Sequence, residues 1–269
     1  MWLRAAKDVG SRMHCEFFSL THVGRVRQNN EDALAVLPHA GLAVLADGMG
    51  GYSAGEVASE MATRVVLEQL APVLERHADE DIAPLLMRSV AAANLAVFDA
   101  SRHTQAYRGM GTTLVVAVFL GDRLVVGHIG DSRLYRWRNG ELLSLTRDHS
   151  MLQEQIDAGL ITPGVARFAP YKNLLTRALG MEGEVRADVS EHSLAPDDVY
   201  LLCSDGLNDM LSDEHMAEIL TDHPNLETAG QALMDAANAA GGRDNISLIM
   251  ARCVPENTGT GQLAGAIAR

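Results

Sequence analysis

Four aspartates stand at the ends of apolar runs, close to glycine. Asp47 closes the run LAVLA and precedes Gly48, and Asp131 follows Gly130 in RLVVGHIGDS. Asp205 precedes Gly206 in VYLLCSDG, and Asp244 opens the strand-like run in GGRDNISLIM. A single short acid in such a place is ordinarily a turn or cap residue; four in one chain suggest a shared task. Neighbouring glycines let backbone approach closely. If the strands deliver the four acids to one cleft, their charges repel and their pKa values rise, and a divalent cation between them would keep them ionised. The donors are hard oxygens, which suit Mg²⁺ or Mn²⁺ rather than Zn²⁺. The ten histidines include no His-x-His or His-x-x-x-His pair, so zinc-ligand spacing is missing. A fifth stretch, GRVRQNNEDA (24–33), sets Arg27 four and five residues before Glu31 and Asp32. An arginine there offers a bidentate clamp for phosphate, and the two acids could hold metal-bound water; a polar turn between strands is the plain alternative.

Residues 42–56, LAVLADGMGGYSAGE, also have the outline of a dinucleotide-binding turn. That motif requires Gly-x-Gly-x-x-Gly, and counting from Gly48 the sixth residue is Ser53, so the pattern fails. The order of elements fails too. Strand-like runs at 15–22, 32–38 and 41–46 precede two helical patterns, over 54–77 and 81–102, in which apolar residues recur at helical spacing. A dense strand block follows: 112–120, 122–130, 132–138 and 141–146. Gly121-Asp122 and Asn139-Gly140 provide hairpin turns, so the block reads as an antiparallel meander. The pattern predicts a short helix over 149–161, a loop over 162–172, strands over 184–192 and 198–203, helices over 213–221 and 226–240, and a last strand over 245–254. Strands, two helices and a meander are not the strand–helix alternation of a doubly wound sheet.

Bulk properties narrow the function. The chain has 269 residues, 47% hydrophobic and 21% charged, an ordinary globular balance. A net charge of −13 argues against nucleic acid or anionic lipid as partners, since both call for a basic face. No apolar stretch approaches the roughly 18–20 residues of a membrane span. Cys15, Cys203 and Cys253 are odd in number and contain no Cys-x-x-Cys, which fits buried reduced thiols of a cytoplasmic protein. No linker or repeat divides the chain. The expected organisation is an N-terminal extension over 1–14, one domain over 15–254 with a flap at about 150–172, and a frayed tail over 255–269.

Taken together, the stretches VRQNNED (26–32), ADGMGG (46–51), GMGTT (109–113), GDSRLY (130–135), TRDHS (146–150), NLLTRALG (173–180), CSDGL (203–207) and GGRDNIS (241–247) resemble the metal-dependent protein phosphatases, the type-2C serine/threonine family, in its bacterial branch. They run in family order over about residues 15–254. The resemblance implies an α+β fold, an α-β-β-α sandwich of two packed antiparallel sheets flanked by helices with a small flap insertion. It implies that Asp47 bridges two Mn²⁺ or Mg²⁺ ions and that the Gly48 carbonyl ligates one of them. Asp205 and Asp244 bind the other, and Glu31 and Asp32 hold metal-bound waters. Asp131, with Asp205, matches a third-metal position of bacterial members. Arg27 binds the substrate phosphate, and Asn245 helps to order the site. The implied reaction is hydrolysis of phosphoserine or phosphothreonine in proteins by a metal-bridging hydroxide, without a phosphoenzyme. The implied partners are phosphoproteins and an opposing eukaryotic-like kinase, and the chain is expected to act as a monomer.

Two departures stand out. Met49 occupies a place where eukaryotic members often carry a histidine proposed as the general acid, and a thioether cannot donate a proton. His149 is a conceivable substitute, with a structural role favoured. The flap sequence PGVARFAPYK also differs from the acidic stretch of many bacterial relatives, which bears on substrate choice. Two other readings remain open at this level: a catalytically silent phosphoprotein-binding module, and a phosphoesterase acting on small molecules. The presence of Asp47, Asp205, Asp244 and Arg27 weighs against the first.

Overall fold

The computed structural model describes residues 13–51, 54–76, 81–162 and 174–255. Among these residues eleven strands form two antiparallel sheets. The first sheet contains β1 (Met13–His22), β11 (Ile246–Pro255), β10 (Val199–Cys203), β7 (Arg133–Arg138) and β8 (Glu141–Ser144), in that spatial order. The second contains β2 (Asp32–Leu37), β3 (Leu42–Met49), β5 (Leu114–Leu120), β6 (Arg123–Ile129) and β9 (Asp188–Ser193). A two-residue β4 (Gly111–Thr112) pairs with the end of β3.

Alternation along the strands builds three apolar layers. On β3, Leu42, Val44 and Ala46 face the long helices α1 (Ala54–Leu74) and α2 (Ile82–His103), meeting Ala58, Ala62, Val66, Leu86 and Val90. Ala43 and Leu45 face the other way, into a core between the sheets shared with Val115, Leu134, Tyr200, Leu202 and Ile249. The far face of the first sheet, including Leu201, Leu248 and Met250, packs on α5 (Asp213–Asp222) and α6 (Leu226–Ala239) through Met216, Leu220 and Leu233. Strands buried on both faces read as continuous apolar runs, which is why β3, β5, β10 and β11 are so visible in the sequence. The helix starts are capped by side chains: Asp81 accepts from the Ala83 N–H, Ser212 from His215, and Asn225 from Glu227 and Thr228. The layers are those of the expected α-β-β-α sandwich.

Three sequence expectations need correction. The block 112–146 is not one meander: β5–β6 and β7–β8 are hairpins in different sheets, and the chain crosses between sheets at Gly130–Ser132. Gly130 makes the crossing with φ +100, and a Cβ there would lie 2.6 Å from the Thr113 side chain, so only glycine fits. The strand expected over 184–192 begins four residues later, at Asp188. Finally, α2 is long and apolar enough to cross a bilayer by length and composition. Here its apolar stripe, Leu86, Val90, Ala93 and Val97, is buried in the helix–sheet layer.

The flap follows β8 of the first sheet and contains α3 (Met151–Asp157), capped by Ser150. It returns through an isolated bridge between Ser150 and Leu175. The differing flap stretch and the expected N-terminal extension and tail fall on 163–173, 1–12 and 256–269, outside the described residues, although β1 already starts at Met13.

Candidate metal centre

The acids predicted at strand ends converge at one end of the sandwich. Asp32 and Asp47 are register partners on β2 and β3, a like-charged cross-strand pair that destabilises a sheet unless something neutralises it. Asp131 sits on the crossing between the sheets. Asp205 opens α4 (Asp205–Asn208), a single turn after β10 that the strand pattern did not reveal. Asp244 precedes β11. Arg27, Glu31, Asp47, Gly48, Met49, Asp131, Asp205, Asp244 and Asn245 line a common cleft of about 220 Å³. Asp32 lies beneath it, its Oδ2 accepting from the Ser204 hydroxyl at 2.9 Å. All eight proposed site residues are therefore in or directly under one cavity.

The backbone around Asp47 is held from several sides. Its N–H donates to Thr113 Oγ1 at 3.0 Å, and its carbonyl accepts from the Thr113 N–H and the Thr112 hydroxyl, each at 2.9 Å. Ser132, beside Asp131, shares a 2.7 Å hydrogen bond with the Thr113 hydroxyl. Asp47 and Asp131 are thus tied through one threonine. A Cβ on Gly48 would fall 2.1 Å from the Gly55 carbonyl and 2.6 Å from that of Glu31, so strand, loop and helix meet there only because the residue is glycine.

Asn245 fastens the loop that carries Arg27. Its amide donates to the carbonyls of Val23 (3.0 Å) and Asn29 (2.8 Å), and its Oδ1 accepts from the Glu31 N–H (2.8 Å). Arg27 reaches from the exposed rim to Asp244 Oδ2 at 2.7 Å. The supporting roles of Thr112, Thr113, Ser132 and Ser204 are missed in the sequence reading. Their only signal is that they sit inside GMGTT, GDSRLY and CSDGL.

The electrostatics are those of an anionic site that the Arg27–Asp244 pair compensates only in part. Burial, then the fields of Asp32, Asp205, Asp131 and Asp244, hold the Asp47 carboxyl well above its usual pKa. Asp205 is raised by burial and by Asp131, Asp209 and Asp244. Burial lifts Asp32 to about 6 and Asp131 to about 7, the latter with help from Asp148. Glu31 is raised by burial as well. One oxygen, Asp32 Oδ1, is buried without any hydrogen-bond partner, a costly arrangement for a polar atom. Six converging carboxyls, one of them with an orphaned oxygen, and backbone carbonyls within reach form an all-oxygen donor set suited to hard divalent cations.

A second cluster of His128, His149 and Asp188 has ligand atoms within 4.8 Å of one another, but its protons are already assigned. His149 Nδ1 accepts from the Gly130 N–H (3.1 Å), which leaves the hydrogen on Nε2, facing Asp188 (3.2 Å). His128 stacks on His149 and contacts the Arg147 carbonyl through Nε2 at 2.8 Å. Asp188 is also held by Arg177. A metal at His149 Nε2 would need a proton on Nδ1, where another N–H points, so the cluster reads as structural. His149 is 3% exposed and is not among the residues lining the cleft. It therefore cannot stand in for the acid that Met49 lacks.

Comparison with known proteins agrees with this geometry. The sequence model described as protein phosphatase 2C matches residues 21–241. The chain is 37% identical over 241 residues to the serine/threonine phosphatase stp of Listeria monocytogenes, spanning 88% of this chain and 95% of that one. The crystal structure of the Mycobacterium tuberculosis serine/threonine phosphatase PstP matches with a TM-score of 0.82 and 38% identity, over 89% of this chain and 98% of that chain. The catalytic domain of PstP in complex with two manganese ions matches at 0.80 and 36%, over 90% and 99%. The chain belongs to the protein phosphatase 2C family.

Proposed function

We propose that this chain is a Mn²⁺- or Mg²⁺-dependent phosphatase that hydrolyses phosphoserine and phosphothreonine in proteins. The observation that carries the proposal is the cleft itself: converging carboxyls with Asp32 directly beneath them, and a single arginine at the rim. Asp47 and the Gly48 carbonyl would hold one ion, and Asp47, Asp205 and Asp244 the second. Asp131 and Asp205 would take a third. When bound, such cations lower the pKa of water and neutralise charge on phosphoryl oxygens.

The chain's own groups supply the rest. Arg27, exposed at the rim, is suited to pair with two phosphoryl oxygens and would exchange its contact with Asp244 for the substrate. Glu31 and Asp32 would orient water and accept its proton. Among the described residues the cleft lining has no thiol and no imidazole, which favours water over a side chain as the attacking group. The P–O bond to the serine or threonine oxygen breaks as the water oxygen bonds to phosphorus. With Met49 at the cleft wall, the leaving oxygen takes its proton from water rather than from a side chain. We further propose that the chain acts as a cytoplasmic monomer, away from membrane and nucleic acid, opposing a eukaryotic-like kinase, with residues 15–254 as its catalytic domain.

The test is hydrolysis of a phosphothreonine peptide beside small phosphomonoesters, with Mn²⁺, Mg²⁺ or EDTA. Peptide hydrolysis that needs the cation and exceeds the small-ester rate in kcat/KM is expected. Preference for the small esters would overturn the substrate class, and activity retained in EDTA would overturn the metal dependence.

A further inference from the structure

The thiols of Cys15 and Cys253 are 3.4 Å apart, although 238 positions separate them in the chain. They are register partners on β1 and β11. The ladder fixes what kind of pair they form. The Cys253 N–H donates to the Asp198 carbonyl and its own carbonyl accepts from the Asp197 N–H, so both backbone groups point away from β1. Cys15 and Cys253 are therefore a non-hydrogen-bonded pair. In such pairs the Cα atoms approach to about 4.5 Å and side chains are closest, within the roughly 4.4–6.8 Å that disulfides span.

We propose that Cys15 and Cys253 are a modification site: a dithiol that a low-molecular-weight disulfide oxidises to a reversible cross-strand bond stapling β1 to β11. Cys15 is half-buried and Cys253 fully buried, so the exchange begins at Cys15. Its thiolate attacks the small disulfide, forming a mixed disulfide and releasing one thiolate. The Cys253 sulfur, losing its proton to solvent, then attacks the Cys15 sulfur and releases the second. Two protein thiols are oxidised and one small disulfide is reduced to two thiols, so electrons balance.

The position gives the bond a consequence. β1 is the edge strand of its sheet, held along one side only by β11. At their other end His22 pairs with Ile246, next to the Arg27 loop and Asp244. A staple at Cys15 fastens this two-strand unit at the end remote from the cleft. It should raise stability without altering the chemistry. Cys203 is an internal control. It lies in a different apolar layer, and its neighbour is Asn208 rather than a cysteine.

The experiment is incubation of the full chain with oxidised glutathione, followed by alkylation of denatured protein, mass spectrometry and thermal unfolding. The expected result is one alkylatable thiol of three, a Cys15–Cys253 linked peptide, reversal by dithiothreitol, and a melting temperature raised by about 5–10 °C. Hydrolysis of p-nitrophenyl phosphate is expected to be unchanged. Cys253→Ser should stop at the mixed disulfide on Cys15, and Cys15→Ser should leave both remaining thiols free. Persistence of the mixed disulfide in the wild-type chain, or three free thiols, would overturn the site. A linked pair with no gain in melting temperature would overturn the stapling.

Discussion

The acidic cleft and the His128–His149–Asp188 cluster meet at the same crossing of the chain, Gly130–Asp131, and they handle charge in opposite ways. Asp131 turns into the cleft beside acids that raise one another's pKa, while Asp32 Oδ1 is left without a partner. On the other side, the Gly130 N–H is taken by His149, His149 by Asp188, and Asp188 by Arg177. Arg177 holds the Asp188 carboxyl down at about 2, and burial, with His128 beside it, depresses His149 to about 4 and keeps it neutral. Polarity that serves the fold closes on itself. Polarity that serves a ligand is left open, and the fold tolerates the cost because helices and sheets elsewhere supply the stability.

The sharpest way to break this contrast is to remove an open charge. Asp47→Asn should lower kcat by at least about 10³-fold, while the circular dichroism spectrum and melting temperature of the metal-free protein hold or improve. Unchanged kcat would remove Asp47 from the centre. A closed pair should respond the other way. Arg133 grips Asp148 through two hydrogen bonds of 2.8 and 2.7 Å, mostly buried. Asp148→Asn should therefore destabilise the fold by about 2–4 kcal/mol, read as a shifted urea midpoint, with kcat/KM per folded molecule largely kept. Arg27→Ala comes next. An open cation at the rim should cost about tenfold in KM for phosphopeptide with a smaller change in kcat, and a loss in kcat with KM unchanged would assign Arg27 to the transition state alone.

pH should separate the two regions by sign. Asp32 and Asp131 have folded pKa values of about 6 and 7, above their usual 3.8. The native state then binds more protons than the unfolded chain between about pH 4 and 7, so this contribution to stability is lost as pH rises through that window. His149 lies at about 4 against a usual 6.5. There the unfolded chain binds more protons, and stability is gained as pH rises from about 4 to 6.5. Melting curves in EDTA from pH 4 to 8 should show the acidic contribution, and saturating Mn²⁺ should remove it. Identical pH slopes with and without the ion would contradict the assignment. The smallest effect belongs to the exposed Arg177–Asp188 pair: Arg177→Ala should cost less than about 1 kcal/mol, measured by the same melts.

Much of this was legible in the sequence because buried strands and strand-end acids leave local marks. β3, β5, β10 and β11 are continuous apolar runs, and Asp47, Asp131 and Asp205 each sit beside a glycine, with Asp244 two residues after Gly242. What stayed hidden depends on contacts remote in sequence. The division of 112–146 between two sheets turns on Gly130 meeting Thr113. The single turn of α4 is too short for periodicity to register. The hold of Thr113 on both Asp47 and Ser132, and of Asn245 on the Arg27 loop, joins residues 19 to more than 200 positions apart. The register of Cys15 against Cys253 could be read only once β1 and β11 were seen to pair.

The most direct test of the central claim is divalent-ion binding, measured by isothermal titration calorimetry of Mn²⁺ into the metal-free chain at neutral pH, wild type beside Asp47→Asn. The proposal calls for at least two ions per wild-type chain and a loss of sites or a large drop in affinity in the variant. Equal stoichiometry and affinity in the two proteins would contradict it.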